Sequence, residues 1–151
     1  MRLVIQRVSQ ASLTANGEDR GSMEKGLVVL LGIEGADSDE DSEWLVNKLL
    51  TMRIFSDEEG KMNLSLMDIQ GALMIVSQFT LHASTKKGNR PSFIKAARPE
   101  QAVPLYDSFI TLTHNLSPQT PLLTGHFGAD MQISLINDGP VTITIDSKNR
   151  E

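Results

Sequence analysis

Two short polar segments interrupt apolar stretches of this 151-residue chain and carry the groups best suited to chemistry. The first, Ser77-Gln78-Phe79-Thr80, closes the apolar run Ala72–Val76. Read as a strand end, it places Ser77 and Phe79 on one face and Gln78 and Thr80 on the other, so hydroxyls point both ways. Thr80 as a nucleophile would need a base within hydrogen-bond reach. The nearest candidate, His82, lies two positions along on the same face, where residues stand roughly 6.5 Å apart. That separation makes a poor dyad, and side-chain-to-backbone hydrogen bonding at a strand edge is the structural alternative. The second segment is Asn137-Asp138-Gly139-Pro140-Val141-Thr142. Asn, Asp, Gly and Pro all favour a turn. A cis Gly139-Pro140 bond, a form taken by about 5–6% of X-Pro bonds, would instead aim two successive carbonyls at a ligand. The residues alone leave both readings open.

Other chemistries lack their apparatus. Cysteine is absent, which removes disulfides, thiolate catalysis and Cys-based zinc sites. His82, His114 and His126 share no metal-ligand spacing, so no metal site is expected. No G-x-S-x-G elbow, P-loop or G-x-G-x-x-G fingerprint occurs, and no cofactor is expected.

The net charge of −5 argues at first against a nucleic-acid partner. Its distribution reverses the argument. Lys86, Lys87, Arg90, Lys95 and Arg98 fall within thirteen consecutive residues that contain no Asp or Glu, so a basic stretch stands on an acidic body. It is either a solvated loop or an RNA contact, with Lys86, Lys87 and Arg90 the first candidates.

The elements that must position these segments follow from periodicity. Strands are expected near 2–8 and 10–15, with a return near 18–24 after the turn former Asn16-Gly17. Leu27–Ile33 and Ala72–Thr80 read as buried strands, the former mid-sheet. A first helix should begin at Ser38, where Asp41 supplies a weak capping signal, and run to Met52. Arg53–Phe55 reads as a short strand, Asp57–Gly60 as a turn and Met62–Met67 as irregular. Pro99 opens a second helix through Leu116. Met131-Ile133-Leu135 and Val141-Ile143-Ile145 alternate as two strands about the Gly-Pro corner, and Ser147–Glu151 reads as a frayed tail. The whole is one α+β domain over residues 1–151: a barrel-like, mainly antiparallel or mixed β-sheet with two packed helices. Without an apolar run of about 18 residues, it is expected to be soluble and cytoplasmic with no membrane partner.

Together the two segments resemble the paired signatures of the D-aminoacyl-tRNA deacylase family, also known as the D-tyrosyl-tRNA(Tyr) deacylase family. The likeness extends to Gln6-Arg7-Val8, Lys61–Leu66, Lys86–Phe93 and Gly128-Ala129-Asp130-Met131, and so spans nearly the whole chain. His82 and Ser84 fall at loop positions that vary within the family. The resemblance implies a hydrolase for the ester of D-aminoacyl-tRNA, acting as a homodimer with its active site at the interface. It assigns the ester and terminal adenosine to Ser77, Gln78, Phe79 and Thr80, with backbone N–H groups near Phe79 and Thr80 facing the developing oxyanion. It assigns a chiral filter to a cis Gly139-Pro140 corner from the partner subunit, with Arg7 and Asn137 at that corner. A filter of main-chain carbonyls excludes L side chains but cannot exclude glycine, so glycyl-tRNA is expected as a second substrate. A non-catalytic RNA-binding barrel is the competing reading, and the scarcity of aromatic residues beyond Phe93 counts against it.

Overall fold

The computed structural model describes all residues, 1–151. Its elements are β1 (Arg2–Ala15), β2 (Glu18–Met23), β3 (Gly26–Gly32), α1 (Asp39–Thr51), β4 (Phe55–Ser56), β5 (Met62–Leu64), β6 (Ala72–Ser77), α2 (Pro99–Leu116), β7 (Leu122–Thr124) and β8 (Met131–Asp146). A single 3-10 turn, Phe79–His82, follows β6.

The sheet is mixed and curls toward a barrel. β1 pairs antiparallel with β3 through Arg2–Val8 and with β2 through Ala11–Ala15, while β8 runs antiparallel along its other edge. β3 and β6 are parallel, as are β6 and β7, with α1 and α2 in the respective connections. Parallel strands covered on both faces need apolar side chains at every position, which explains the unbroken runs Leu27–Leu31 and Leu73–Val76. Their odd-numbered residues Leu27, Val29, Leu31, Leu73 and Ile75 join a core shared with the helices, around Leu45, Leu49 and Phe109. Their even-numbered residues Val28, Met74 and Val76 enclose a second core with Val8, Ala11 and Leu13.

One strand serves both cores. Leu3 and Ile5 of β1 point into the helix-covered core, and Ala11 and Leu13 into the barrel interior. The change occurs where the β1–β8 register shifts, between Gln6 and Val8 and again between Val8 and Gln10. Bulges of this kind bend a strand and increase its twist. The break in alternation expected to end a first strand near residue 8 is therefore a bulge within one 14-residue strand. The two strands expected near 131–135 and 141–145 are likewise one 16-residue strand, bent at Asn137–Pro140.

Two further expectations are corrected, and one strand is added. Ala72–Thr80 does not stay extended: the strand ends at Ser77, and Phe79–His82 coils into the 3-10 turn. Leu122–Thr124, which follows the loop of Pro118 and Pro121, adds an unanticipated strand too short to show periodicity. Ser147 opens no frayed tail: it is buried, its N–H donates to the Met1 carbonyl at 2.9 Å, and its hydroxyl accepts from the Met1 amino group at 2.7 Å. Beyond it, Arg150 lies 4.4 Å from the centre of the Trp44 ring.

The start of α1 links to this terminus. The Asp41 carboxylate accepts from the Ser38 N–H at 2.8 Å and from Lys148 Nζ at 2.8 Å. Burial opposes its charge, but hydrogen bonds from Lys148, Ser147 and Ser38 prevail and hold the carboxyl well below its ordinary value of 3.8. A folded pKa below the unfolded one contributes stability that is complete above the unfolded value and lost as pH falls through the folded one. Asp41→Asn should therefore unfold at lower urea than the parent near neutrality, with the gap closing below about pH 3.5. A gap that stays constant on acidification would rule out Asp41 as the titrating group.

Candidate active site

The turn after β6 is the first half of the site. Extended backbone stops at Gln78 (φ −145°, ψ 83°), and the Leu81 N–H then bonds the Gln78 carbonyl at 3.3 Å. The N–H groups of Phe79 and Thr80 precede that first turn bond, so they have no acceptor within the turn. Gln78 Nε2 donates to Thr80 Oγ1 at 2.5 Å. Phe79 turns outward with 55% of its surface exposed.

Gly32, at the end of β3, lets this turn sit directly on the sheet. A Cβ there would lie 2.9 Å from Leu81 Cβ and 3.1 Å from both the Gln78 carbonyl oxygen and His82 Cδ2. The Gln78 N–H is tied to the Leu31 carbonyl at 2.8 Å, and Arg2 Nη1 donates to the Leu81 carbonyl at 3.0 Å. Sequence reasoning singled out neither Gly32 nor Arg2. The available signal was an isolated glycine in a strand, which marks close backbone approach.

The turn borders a cleft of about 300 Å³ lined by Ser77, Gln78, Phe79, Phe127, Ala129 and Met131, among others. Thr80 is exposed outside that lining, while His82 is 1% exposed and has no hydrogen-bond partner at either ring nitrogen. His82 is thus buried beneath the turn and does not hydrogen-bond Thr80, so the pair is not a nucleophile–base dyad. An unpaired buried polar group costs about 1–3 kcal/mol. Replacing His82 with leucine should leave turnover at this site within about twofold and raise the melting temperature by about 2–4 °C. A collapse of kcat in a folded His82→Leu protein would restore His82 as a participant.

The second half of the site is the corner in β8. The Gly139-Pro140 bond is cis, both residues are exposed, and Gly139 has φ +133°. Asn137 shapes the corner: its Oδ1 accepts from the Val141 N–H at 2.8 Å, and its Nδ2 donates to Gln6 Oε1 at 2.9 Å and Thr142 Oγ1 at 3.0 Å. Arg7, only 7% exposed, donates through Nε to the Asp138 carbonyl at 2.9 Å and through Nη1 to the Ile54 carbonyl at 2.6 Å.

Within one chain the halves do not meet, since neither Gly139 nor Pro140 lines the Ser77–Phe79 cleft. The base of the basic loop does approach it. Ser84 and Ser92 close the base of their loop with reciprocal N–H to carbonyl bonds of 2.8 and 2.9 Å, and Phe93 then meets Phe79 edge-on at 5.1 Å. Lys86, Lys87 and Arg90 are all exposed beyond that base. No group of three or more His, Cys, Asp or Glu side chains is arranged to hold a metal ion. No helix is long and apolar enough to cross a membrane.

The fold is a curled mixed sheet with two helices, which carries a turn over a cleft and, apart from it, a Gly-Pro corner held by a buried arginine. The family described as D-Tyr-tRNA(Tyr) deacylase matches residues 4–146, and the chain belongs to it. It is 59% identical to a D-aminoacyl-tRNA deacylase of Akkermansia muciniphila and 57% identical to one of Flavobacterium johnsoniae, each over the full length of both chains. A solved structure described as the c-Myc DNA unwinding element binding protein is 42% identical, covers 97% of this chain and 98% of its own, and superposes with a TM-score of 0.91.

Proposed function

We propose that this chain hydrolyses the ester joining a D-amino acid to the 3′ end of tRNA. The observation that carries this reading is full-length identity of 57–59% to D-aminoacyl-tRNA deacylases in a chain that holds both the Ser77–Thr80 and Asn137–Thr142 segments. The cleft beside Ser77, Gln78 and Phe79 takes the aminoacylated terminal adenosine, and the N–H groups of Phe79 and Thr80 receive the negative charge that develops on the ester carbonyl. Such a donor is commonly worth about 3–4 kcal/mol of barrier. Water is the attacking group, and the 2′-hydroxyl of the terminal ribose helps position it. This accounts for catalysis without a protein base, which neither Thr80 nor His82 supplies.

Chirality is read by the main-chain carbonyls of Gly139 and Pro140 from a second copy of the chain. Support comes from the exposure of that corner, from its absence from the cleft of its own chain, and from the unpaired outer edge of β8 beside the exposed Ile136. A two-fold pairing would then complete both sites at once. Discrimination by exclusion rejects an L side chain and leaves the D side chain unexamined. Glycyl-tRNA passes the same filter, having no side chain to exclude. Lys86, Lys87 and Arg90 meet the phosphates of the acceptor end, and the reaction belongs to the cytoplasm, where aminoacyl-tRNA is made and used.

Incubating the protein with D-tyrosyl-tRNA and L-tyrosyl-tRNA tests the proposal: rapid release from the D form alone is expected. Equal rates would refute the filter. Salt-sensitive tRNA binding without turnover would favour a non-catalytic RNA-binding barrel instead.

A further inference from the structure

We propose that Asn16, at the tip of the β1–β2 hairpin, is a positioning residue for the substrate cleft. The inference rests on the reading of the Ser77–Phe79 cleft as the substrate site. One wall of that cleft is Phe127, Gly128 and Ala129, from the six-residue loop joining β7 to β8.

Three anchors hold this loop. At its start, the Gly125 N–H donates to the Ile75 carbonyl at 3.0 Å. In the middle, the Phe127 ring lies edge-on to Tyr106 at 6.0 Å, and the Tyr106 hydroxyl donates to the same Ile75 carbonyl at 2.9 Å. Burial, with the nearby Asp107 charge, pushes that hydroxyl up to about 12, so it remains a donor. At the end, Asn16 clasps Asp130 through two reciprocal bonds: Asn16 N–H to the Asp130 carbonyl at 2.7 Å, and Asp130 N–H to Asn16 Oδ1 at 3.0 Å. The first two anchors are built on β6 and α2. The third is exposed and comes from a hairpin tip that otherwise takes no part in the site.

The clasp explains the residue type. Asn16 sits at φ +52°, a left-handed conformation that asparagine tolerates better than most side chains. The position needs both that tolerance and a side-chain acceptor. Glycine meets only the first need, whereas aspartate meets both. Without the acceptor, the Asp130 N–H turns to water and the segment just before it, Gly128-Ala129, loses its tether. The wall contacts bound substrate but supplies none of the donors proposed for the reacting ester, so the loss should appear in substrate capture and not in the chemical step.

The test compares Asn16→Gly with Asn16→Asp, using steady-state hydrolysis of D-tyrosyl-tRNA and amide hydrogen exchange across residues 127–131. Asn16→Gly should raise KM by about three- to tenfold, the range a single hydrogen bond commands, with kcat within about twofold and faster exchange at Gly128–Asp130. Asn16→Asp should restore both readouts. Unchanged exchange in Asn16→Gly overturns the clasp. Faster exchange with unchanged KM, or a loss confined to kcat, overturns the positioning role, and so does an Asn16→Asp protein as impaired as Asn16→Gly. A parent protein that hydrolyses no D-aminoacyl-tRNA would defeat the functional reading itself, leaving exchange to judge the clasp.

Discussion

Replacing Gly139 with alanine should lower kcat/KM for a D-aminoacyl-tRNA by about a hundredfold while leaving the protein folded. An alanine Cβ would stand 2.8 Å from Val141 Cγ2 and 2.9 Å from Arg7 Nη2, both closer than real Cβ contacts allow. The residue also sits at φ +133°, where L side chains are rarely found and strain is commonly about 1–3 kcal/mol. Val141 is buried and Arg7 is pinned by two carbonyls, so the corner itself must shift. Displacement of a positioning group by about 1 Å can cost about a hundredfold in rate. The same shift should blur discrimination between D- and L-tyrosyl-tRNA. Because the corner is exposed, the melting temperature should move far less than the rate. A Gly139→Ala protein with parental rate and parental chiral preference would remove the backbone filter from consideration.

The second large effect belongs to Arg7. Its ion pair with the half-exposed Asp138 carboxylate, at 3.5 Å, contributes little. What matters is that the guanidinium satisfies two carbonyls on different parts of the chain, Asp138 at the corner and Ile54 between α1 and β4. Hydrogen bonds from a charged donor are worth about 1.5–3 kcal/mol, and a buried acceptor left alone adds its own desolvation cost. Arg7→Met should therefore destabilise the fold by about 2–4 kcal/mol and release the corner, lowering the melting temperature by roughly 5–15 °C. Arg7→Lys should recover only part of this, since an ammonium lacks the planar fork that reaches both carbonyls. Thermal unfolding alongside kcat/KM checks both. A Met variant melting within about 2 °C of the parent would show that the two carbonyls find other partners.

How much of this was legible in the sequence varied with how local the determining physics is. β3 and β6 were plain because burial on both faces writes itself as unbroken apolar runs, and α2 because Ala102, Tyr106 and Phe109 repeat at helical spacing on its buried side. β1 was misread as two strands because a bulge and a strand end both break the period of two. Phe79 looked like a strand residue because nothing local reveals that Gly32, far away in sequence, opens room for a turn. The burial of His82 was hidden for the same reason. At the site, residue types alone left Ser77–Thr80 and Asn137–Thr142 undecided between turn chemistry and catalysis. Family resemblance, not spacing, singled them out, since a site of the proposed backbone kind leaves almost no side-chain signature. Arg2 and Asn16 act through contacts formed across 79 and 114 positions of chain, which no local pattern encodes.

The register shifts in β1 bear on which changes of length the chain can absorb. Side chains on a strand alternate in direction, and the extra residue Ser9, which has no partner in β8, is what returns Ala11 and Leu13 to the face of Val8; one further residue there, with the bulge kept, would send Ala11 and Leu13 outward while Leu3 and Ile5 kept their places. The lesion would be selective, emptying the barrel interior and leaving the helix-covered core intact. The exposed loop of Lys86, Lys87 and Arg90 has no such parity to preserve. Insertions and deletions should thus accumulate in the basic loop across descendants of this chain, and the few residues around Ser9 should keep their number even where their identities drift.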